Sequence, residues 1–343
     1  MAQLHAPAGA VSVPDLRICG GDHPRTVKGN VVSGQLRTDE CRLVVVTGKG
    51  GVGKSTVSAA LALAFAAAGR DTVAAELSGQ ARIPALLGSA ASGAAGRETE
   101  VAPGTWVTTI DPEAALVEWA GQIVKPRALL EVAVRSRAFS GFVSAAPGAS
   151  ELISVTKAWE LSSPERWVSG SARHEVTVLD APASGHGVGL LASPTTYAEI
   201  ARVGPIATQA REVAQLLHDP RRCLIVTVAI PEETPVNEAV ELADRLEGKL
   251  GRGPSLVVMN GLLGEELSDD EARTAHESIP GSPALAAADR RRGLARRQAR
   301  QLERLRELSA APVVELPDLG AAGATPDGVE ELSALLAPAL NLS

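Results

Sequence analysis

The run RLVVVT at residues 42–47 leads straight into GKGGVGKST at residues 48–56 and then into an Ala/Leu-rich stretch that stops at Gly69. Few folds accommodate that order. The uninterrupted β-branched run predicts a strand buried on both faces, as in a parallel sheet covered by helices. Gly50, Gly51 and Gly53 allow backbone conformations that turn N–H groups onto one oxyanion cluster, and the helix opening at Lys54 aims its positive end at the same point. Lys54 is placed to contact β- and γ-phosphates, and the Ser55 hydroxyl to ligate Mg²⁺, while Gly48, Val52 and Thr56 complete the loop. Strand, loop and helix together predict a P-loop that binds ATP with Mg²⁺.

Further strands are predicted at 72–77, 105–110, 175–180, 224–229, 255–260 and 312–316, and the clearest helices at 208–218 and 233–250. Their alternation predicts an α/β fold, a mostly parallel sheet with helices on both faces. Two stretches break the alternation. Residues 112–165, with Trp119, Leu129, Leu130, Phe139, Phe142 and Trp159 at helical spacing, and residues 263–310 carry helical patterns without a strand. Both are read as helical insertions into a single domain spanning 41–343. Residues 1–40 have no sustained period and are read as an irregular leader, and residues 88–96 as a short flexible linker.

Charge and composition narrow the function. A net charge of −7 argues against nucleic acid or an anionic membrane as the main partner. Aromatics make up 2%, so Ala, Val and Leu must fill the core. Cys19, Cys41 and Cys223 lie far apart, with no C-x-x-C spacing, and the latter two begin apolar runs, so buried reduced thiols are expected. There is no secretory signal pattern and no apolar run of membrane-spanning length, and a cytoplasmic setting is expected. The helix predicted at 289–310 carries Arg290, Arg291, Arg292, Arg296, Arg297, Arg300, Arg304 and Arg306, with Leu294, Leu302, Leu305 and Leu308 at helical spacing. It reads as an amphipathic helix with a solvated face, or as a docking surface for an acidic partner.

Lys49 stands out because the chain has only six lysines, and two of them fall in this one loop. A compact ammonium suits a crowded phosphate site better than a planar guanidinium. Asp180 closes the predicted strand in VTVLDAPASGHGVGLL and is placed to hold a Mg²⁺-bound water. KGGVGKST resembles the deviant Walker A loop of the SIMIBI class of nucleotide-dependent dimers, and DAPASGH resembles the switch of the ArsA-like and tail-anchored-protein targeting ATPases. ELSGQARIPALLG at 76–88, DPEAALVEW, the APG at 146–148 and the GP at 204–205 are similar to actinobacterial ArsA-like proteins labelled anion-transporting ATPases.

That resemblance implies a P-loop NTPase of the SIMIBI class in which Lys49 reaches the partner's nucleotide across a dimer. The dimer would be a homodimer, or a heterodimer with a paralogous ArsA-like subunit, working on a protein cargo or partner. It also implies that Asn260, ending SLVVMN, reads adenine, with Pro317 more loosely on the adenine side. Three departures matter. Where the family places a water-orienting acid after the second strand, this chain has Ser78; Glu76, two residues earlier on the same face of an extended segment, is the alternative acid. The cysteine sets for a zinc-bridged dimer and for arsenite are missing, and Met1 and Met259 are the only methionines, too few for a methionine-rich client groove. The expected function is a nucleotide-switched ATPase; the alternative is a weakly hydrolysing subunit that acts as structural partner to a paralogue.

Overall fold

A computed structural model describes residues 36–77, 82–89, 96–123, 148–201, 203–264 and 267–342, with the backbone of two short strands, β1 (Arg17–Ile18) and β2 (Arg25–Thr26). These two pair antiparallel within the stretch expected to be irregular. Ser78, Cys19, Leu129, Leu130, Phe139, Phe142, most of the proposed 88–96 linker and residues 146–147 of the APG lie outside the described residues.

The central element is β3 (Leu43–Gly48), every residue of which is buried. Its neighbours are β7 (Val176–Asp180) and β8 (Cys223–Ala229), both parallel to it. Beyond β7 come β4 (Thr72–Leu77), β6 (Thr105–Ile110) and β5 (Thr99–Ala102); beyond β8 come β9 (Leu256–Leu262) and β10 (Val313–Pro317). The order across the sheet is β10-β9-β8-β3-β7-β4-β6-β5. All the pairings are parallel except that of β5, an edge strand antiparallel to β6 that the hydropathy pattern did not reveal.

Alternation within the buried strands divides the core between two faces. Val44, Val46, Ala74, Val226 and Val258 face one way, packing against α1 (Lys54–Ala67) and α10 (Pro326–Leu336). Leu43, Val45, Val73, Ala75 and Ile225 face the other. That side is covered by α4 (Ala149–Leu161), α5 (Ser184–Ile200), α6 (Pro205–His218) and α7 (Glu233–Leu250). Continuous Val/Leu/Ile runs thus form strands because both faces are occupied. The α1 surface is largely Ala, so the helix lies close to the sheet, and Gly69 at φ 80° ends it. A left-handed Gly251 ends α7 in the same way.

The remaining helices are a one-turn α2 (Ile83–Leu86), α3 (Pro112–Ile123), α8 (Asp269–Ser278) and α9 (Pro283–Leu308). Within the first proposed insertion, α3 and α4 are helical as expected, and residues 124–147 lie outside the described set. The second contains α8, opened by a Ser268/Glu271 capping box, and α9. The arginine helix starts six residues before its predicted start at 289, because Ser282-Pro283 supplies a helix-opening pair. Much of its charge is internally matched: Arg292 and Arg296 meet Asp269, and Arg306 bridges Glu303 and Glu315. Among the described residues, no helix is long and apolar enough to cross a membrane.

Candidate functional site

The C-terminal ends of β3, β4 and β7 converge, and the loop leaving β3 runs over them. Gly48 has φ 145°, and a Cβ there would lie 2.3 Å from the Val228 carbonyl oxygen, so only glycine lets β3 pass this close to β8 before turning. Gly51 and Gly53 take left-handed conformations at φ 85° and 92°. The loop closes on itself through Lys54, whose Nζ donates to the Lys49 carbonyl at 2.9 Å. Ser55 Oγ donates to Asp180 Oδ2 at 2.6 Å, tying the first turn of α1 to the end of β7. Val52 is buried, and its carbonyl accepts from Asn260 Nδ2 at 2.9 Å, so the end of β9 braces the loop from the opposite side.

Two carboxylates stand side by side beneath the loop, because Glu76 of β4 and Asp180 of β7 are register partners. Their exposures are 1% and 0%. Burial raises the pKa of each carboxyl, and their mutual repulsion raises that of Glu76 further; hydrogen bonds act in the opposite sense, from Ser55 on Asp180 and from the backbone on Glu76. Burial and the positive charge of Arg82 lower the pKa of Lys54, against the upward pull of Asp180. Glu76 Oε1 accepts the backbone N–H of Arg82 at 2.7 Å, so this acid is engaged in holding the head of α2.

Asp180 Oδ1 is buried and has no hydrogen-bond partner among the described residues. A hydroxyl and a carboxylate therefore meet, with one carboxylate oxygen unsatisfied. This all-oxygen donor set fits Mg²⁺, which takes few protein ligands and keeps several waters.

An open cleft of about 690 Å³ lies over the loop. Gly50, Gly51, Gly53, Lys54, Ser55 and Thr56 form one wall, and Arg82, Ala85 and Leu86 another. The expected phosphate-loop residues are thus brought together, with Asp180 beneath. Asn260 and Pro317 sit at the same end of the sheet, at the ends of β9 and β10, but outside the cleft lining. Lys49 projects away from the turn, where its Nζ meets Glu238 Oε1 of α7 at 2.9 Å. Sequence reasoning missed Arg82 and Glu238. Arg82 lies inside a quoted motif, but nothing local marks it as facing the loop.

A parallel sheet whose central strand feeds a glycine-rich loop, with a lysine, a hydroxyl and a neighbouring strand-end carboxylate around a cleft, defines a P-loop NTPase of the α/β class. Residues 41–206 match the family described as anion-transporting ATPase, ArsA_ATPase. The chain is 28% identical over 245 residues to a putative arsenical pump-driving ATPase of Halobacterium salinarum, covering 68% of this chain and 37% of that protein. It is 30% identical over 236 residues to the ATPase BagA of Mycobacterium tuberculosis, covering 64% of each. It is 24% identical over 250 residues to an arsenical pump-driving ATPase of Acidiphilium multivorum, covering 67% of this chain and 41% of that protein. The matched stretch thus spans between about a third and two thirds of these relatives. The ArsA-like ATPase resemblance read from the P-loop and DAPASGH is shown by the family match and by these relatives.

Proposed function

We propose that the protein binds ATP with Mg²⁺ in the P-loop cleft and uses binding and hydrolysis to switch a dimer, altering how its helical insertions pack against a cargo or partner protein. The observation that carries this reading is the Ser55–Asp180 hydrogen bond beneath the left-handed Gly51 and Gly53. It joins the first turn after the glycine loop to the carboxylate at the end of β7, which supports a phosphate-binding turn beside a metal-holding pair. Lys54 would exchange its bond to the Lys49 carbonyl for β- and γ-phosphate oxygens, and Ser55 and Asp180 would hold the ion, Asp180 through a water. Bound Mg²⁺ would neutralise phosphate charge. Asn260 would contribute to adenine recognition from the end of β9, with Pro317 beside it.

Lys49 lies outside the phosphate-wrapping turn, which supports a role across a dimer interface. The dimer would be a homodimer or a heterodimer with a paralogous ArsA-like subunit. Nucleic acid is not the proposed partner. The buried thiols of Cys41 and Cys223, each pushed up to about 12 by burial, suit a reduced cytoplasmic setting.

A second reading, a subunit that hydrolyses ATP slowly and serves as structural partner, draws support from Glu76. Its carboxylate faces the Arg82 N–H and is buried, so it is poorly placed to orient an attacking water. Ser78 supplies no carboxylate in its place. Steady-state phosphate release by wild type and Ser78→Asp separates the two. Slow wild-type turnover, raised several-fold by the aspartate at similar ATP affinity, supports the structural-partner reading. Fast wild-type turnover that Ser78→Asp leaves unchanged or lowers, with inactivation by Glu76→Gln, contradicts it.

A further inference from the structure

Among the described residues, Arg82 is the one guanidinium lining the phosphate cleft, together with Lys54 and Ser55. Its backbone is tied down at the N–H. The N–H is held by the buried Glu76 carboxylate at 2.7 Å, which anchors the segment after β4 at the rim of the site. Arg82 is exposed to solvent, and no hydrogen bond or ion pair engages its guanidinium among the described residues. Neither neighbouring carboxylate bonds the guanidinium among the described residues: Glu76 accepts the Arg82 backbone N–H, and Asp180 accepts from Ser55. Arg82 nonetheless acts on all the charged groups below it, lowering the pKa values of Lys54, Asp180 and Glu76. It therefore lies within electrostatic reach of the loop lysine and of the proposed metal pair.

A charged fork with its backbone N–H held, no acceptor among the described residues and an open cleft beside it is arranged for an anion that arrives from outside. Guanidinium pairs with phosphate through two parallel N–H···O bonds, a geometry that a lysine ammonium does not reproduce. The side of the cleft matters too. In the nucleotide reading, Lys54, Ser55 and Asp180 mark the β- and γ-phosphate end, and Arg82 stands over that end.

The geometry points to Arg82 as a second phosphate-binding cation, which closes on the terminal phosphate of a nucleoside triphosphate and makes the site prefer triphosphate over diphosphate. Glu76 is then a positioning residue, which sets the height of Arg82 over the cleft. The inference rests on the proposed nucleotide site and adds to it a residue that senses whether the last phosphate is present.

Calorimetric titration of wild type, Arg82→Ala, Arg82→Lys and Lys54→Ala with Mg²⁺ and either ADP or a β,γ-imido ATP analogue tests it. Arg82→Ala is expected to weaken analogue binding by about tenfold or more and to leave ADP binding within about twofold, since a charge-assisted phosphate contact is lost for one ligand only. Arg82→Lys is expected to fall between, with charge kept and the paired bonds lost. Because the guanidinium makes no hydrogen bond or ion pair among the described residues, these variants should melt near the wild-type temperature, which separates a binding effect from misfolding. Equal losses for both nucleotides in Arg82→Ala, or no loss for either, would overturn the assignment. If Lys54→Ala abolishes binding while Arg82→Ala binds as wild type does, the nucleotide site stands and the Arg82 proposal fails. If wild type binds neither nucleotide, both fail.

Discussion

Lys49 Nζ lies 2.9 Å from Glu238 Oε1, so the lysine that projects from the phosphate loop is held by α7 of its own chain. Both side chains are about one third exposed, at 35% and 31%, which makes this a surface pair worth ~0–1 kcal/mol. Breaking it should barely change stability, yet it frees the cation for another acceptor. Glu238→Gln is expected to unfold in urea within about 1 kcal/mol of wild type. ATP-dependent association, followed by light scattering, is expected to strengthen in Glu238→Gln and weaken in Lys49→Ala. The same association in all three proteins would remove Lys49 from the interface.

Asp180 combines a structural cost with a functional use. Its folded pKa is raised by burial, so the folded state holds the proton more tightly than the unfolded chain. The carboxyl therefore favours folding when protonated, and that advantage is lost as pH rises from the ordinary 3.8 through the raised folded value. At neutral pH without ligand the buried charge is unfavourable. Asp180→Asn is expected to leave the ligand-free protein as stable as wild type or more so, by up to ~1–2 kcal/mol in urea unfolding, while the stimulation of ATP binding by Mg²⁺ disappears. A variant that is both less stable and still Mg²⁺-dependent would contradict this assignment.

The glycine demands of the loop differ from one position to the next. A Cβ on Gly48 would meet a backbone carbonyl at 2.3 Å, whereas one on Gly53 would meet the end of the Asn260 side chain at the same distance. Backbone cannot yield, so Gly48→Ala is expected to cost more than about 2 kcal/mol. Asn260→Ala removes one hydrogen bond, that to the Val52 carbonyl, and is expected to cost about 1 kcal/mol. Urea midpoints for the two variants check the order; equal losses would mean the loop relaxes freely around Gly48.

Away from the cleft, Glu98 sits in a nearly enclosed ion network with Arg166 and His174, and Glu160 bridges Arg166 to Lys157. Burial acts to raise the Glu98 pKa, but hydrogen bonds from His174 and Arg166 outweigh it and hold the value at about 2. A depressed carboxyl stabilises the fold above its unfolded pKa and loses that contribution as pH falls through the folded value. The gap from 4.5 to about 2 corresponds to at most roughly 3 kcal/mol. Glu98→Gln is expected to be less stable than wild type near neutral pH, with the difference shrinking as pH falls from about 4.5 toward about 2. A difference that does not change with pH would show that the network contributes through shape alone.

Local signals carried much of this architecture. RLVVVT and the loop after it marked β3 and α1 because both faces of the strand are buried and the glycines are consecutive. The α7 span, Glu233–Leu250, follows from regular apolar spacing ended by Gly251, and Asp180 from its place at the end of an apolar run. What sequence could not show depends on contacts between distant segments. Lys49 and Glu238 are 189 positions apart, and their pairing follows only from the placement of α7 beside β3. Glu76 is a candidate acid because it lies two residues before Ser78 on one face of an extended segment; that its carboxylate accepts the Arg82 N–H depends on tertiary packing that the local sequence does not show. β5 was missed because an edge strand has little apolar alternation to display.

The account rests on the loop over β3 being a Mg²⁺–ATP site, and Lys54 tests that most directly. Its ammonium bonds only to the Lys49 carbonyl among the described residues, so removing it should cost the fold little and the nucleotide its main side-chain contact. Equilibrium binding of a fluorescent ATP analogue to wild type and Lys54→Ala, with Mg²⁺ present, is the decisive measurement. The account predicts saturable binding by wild type and no measurable binding by a Lys54→Ala variant that melts normally. Unchanged affinity in that variant would contradict it.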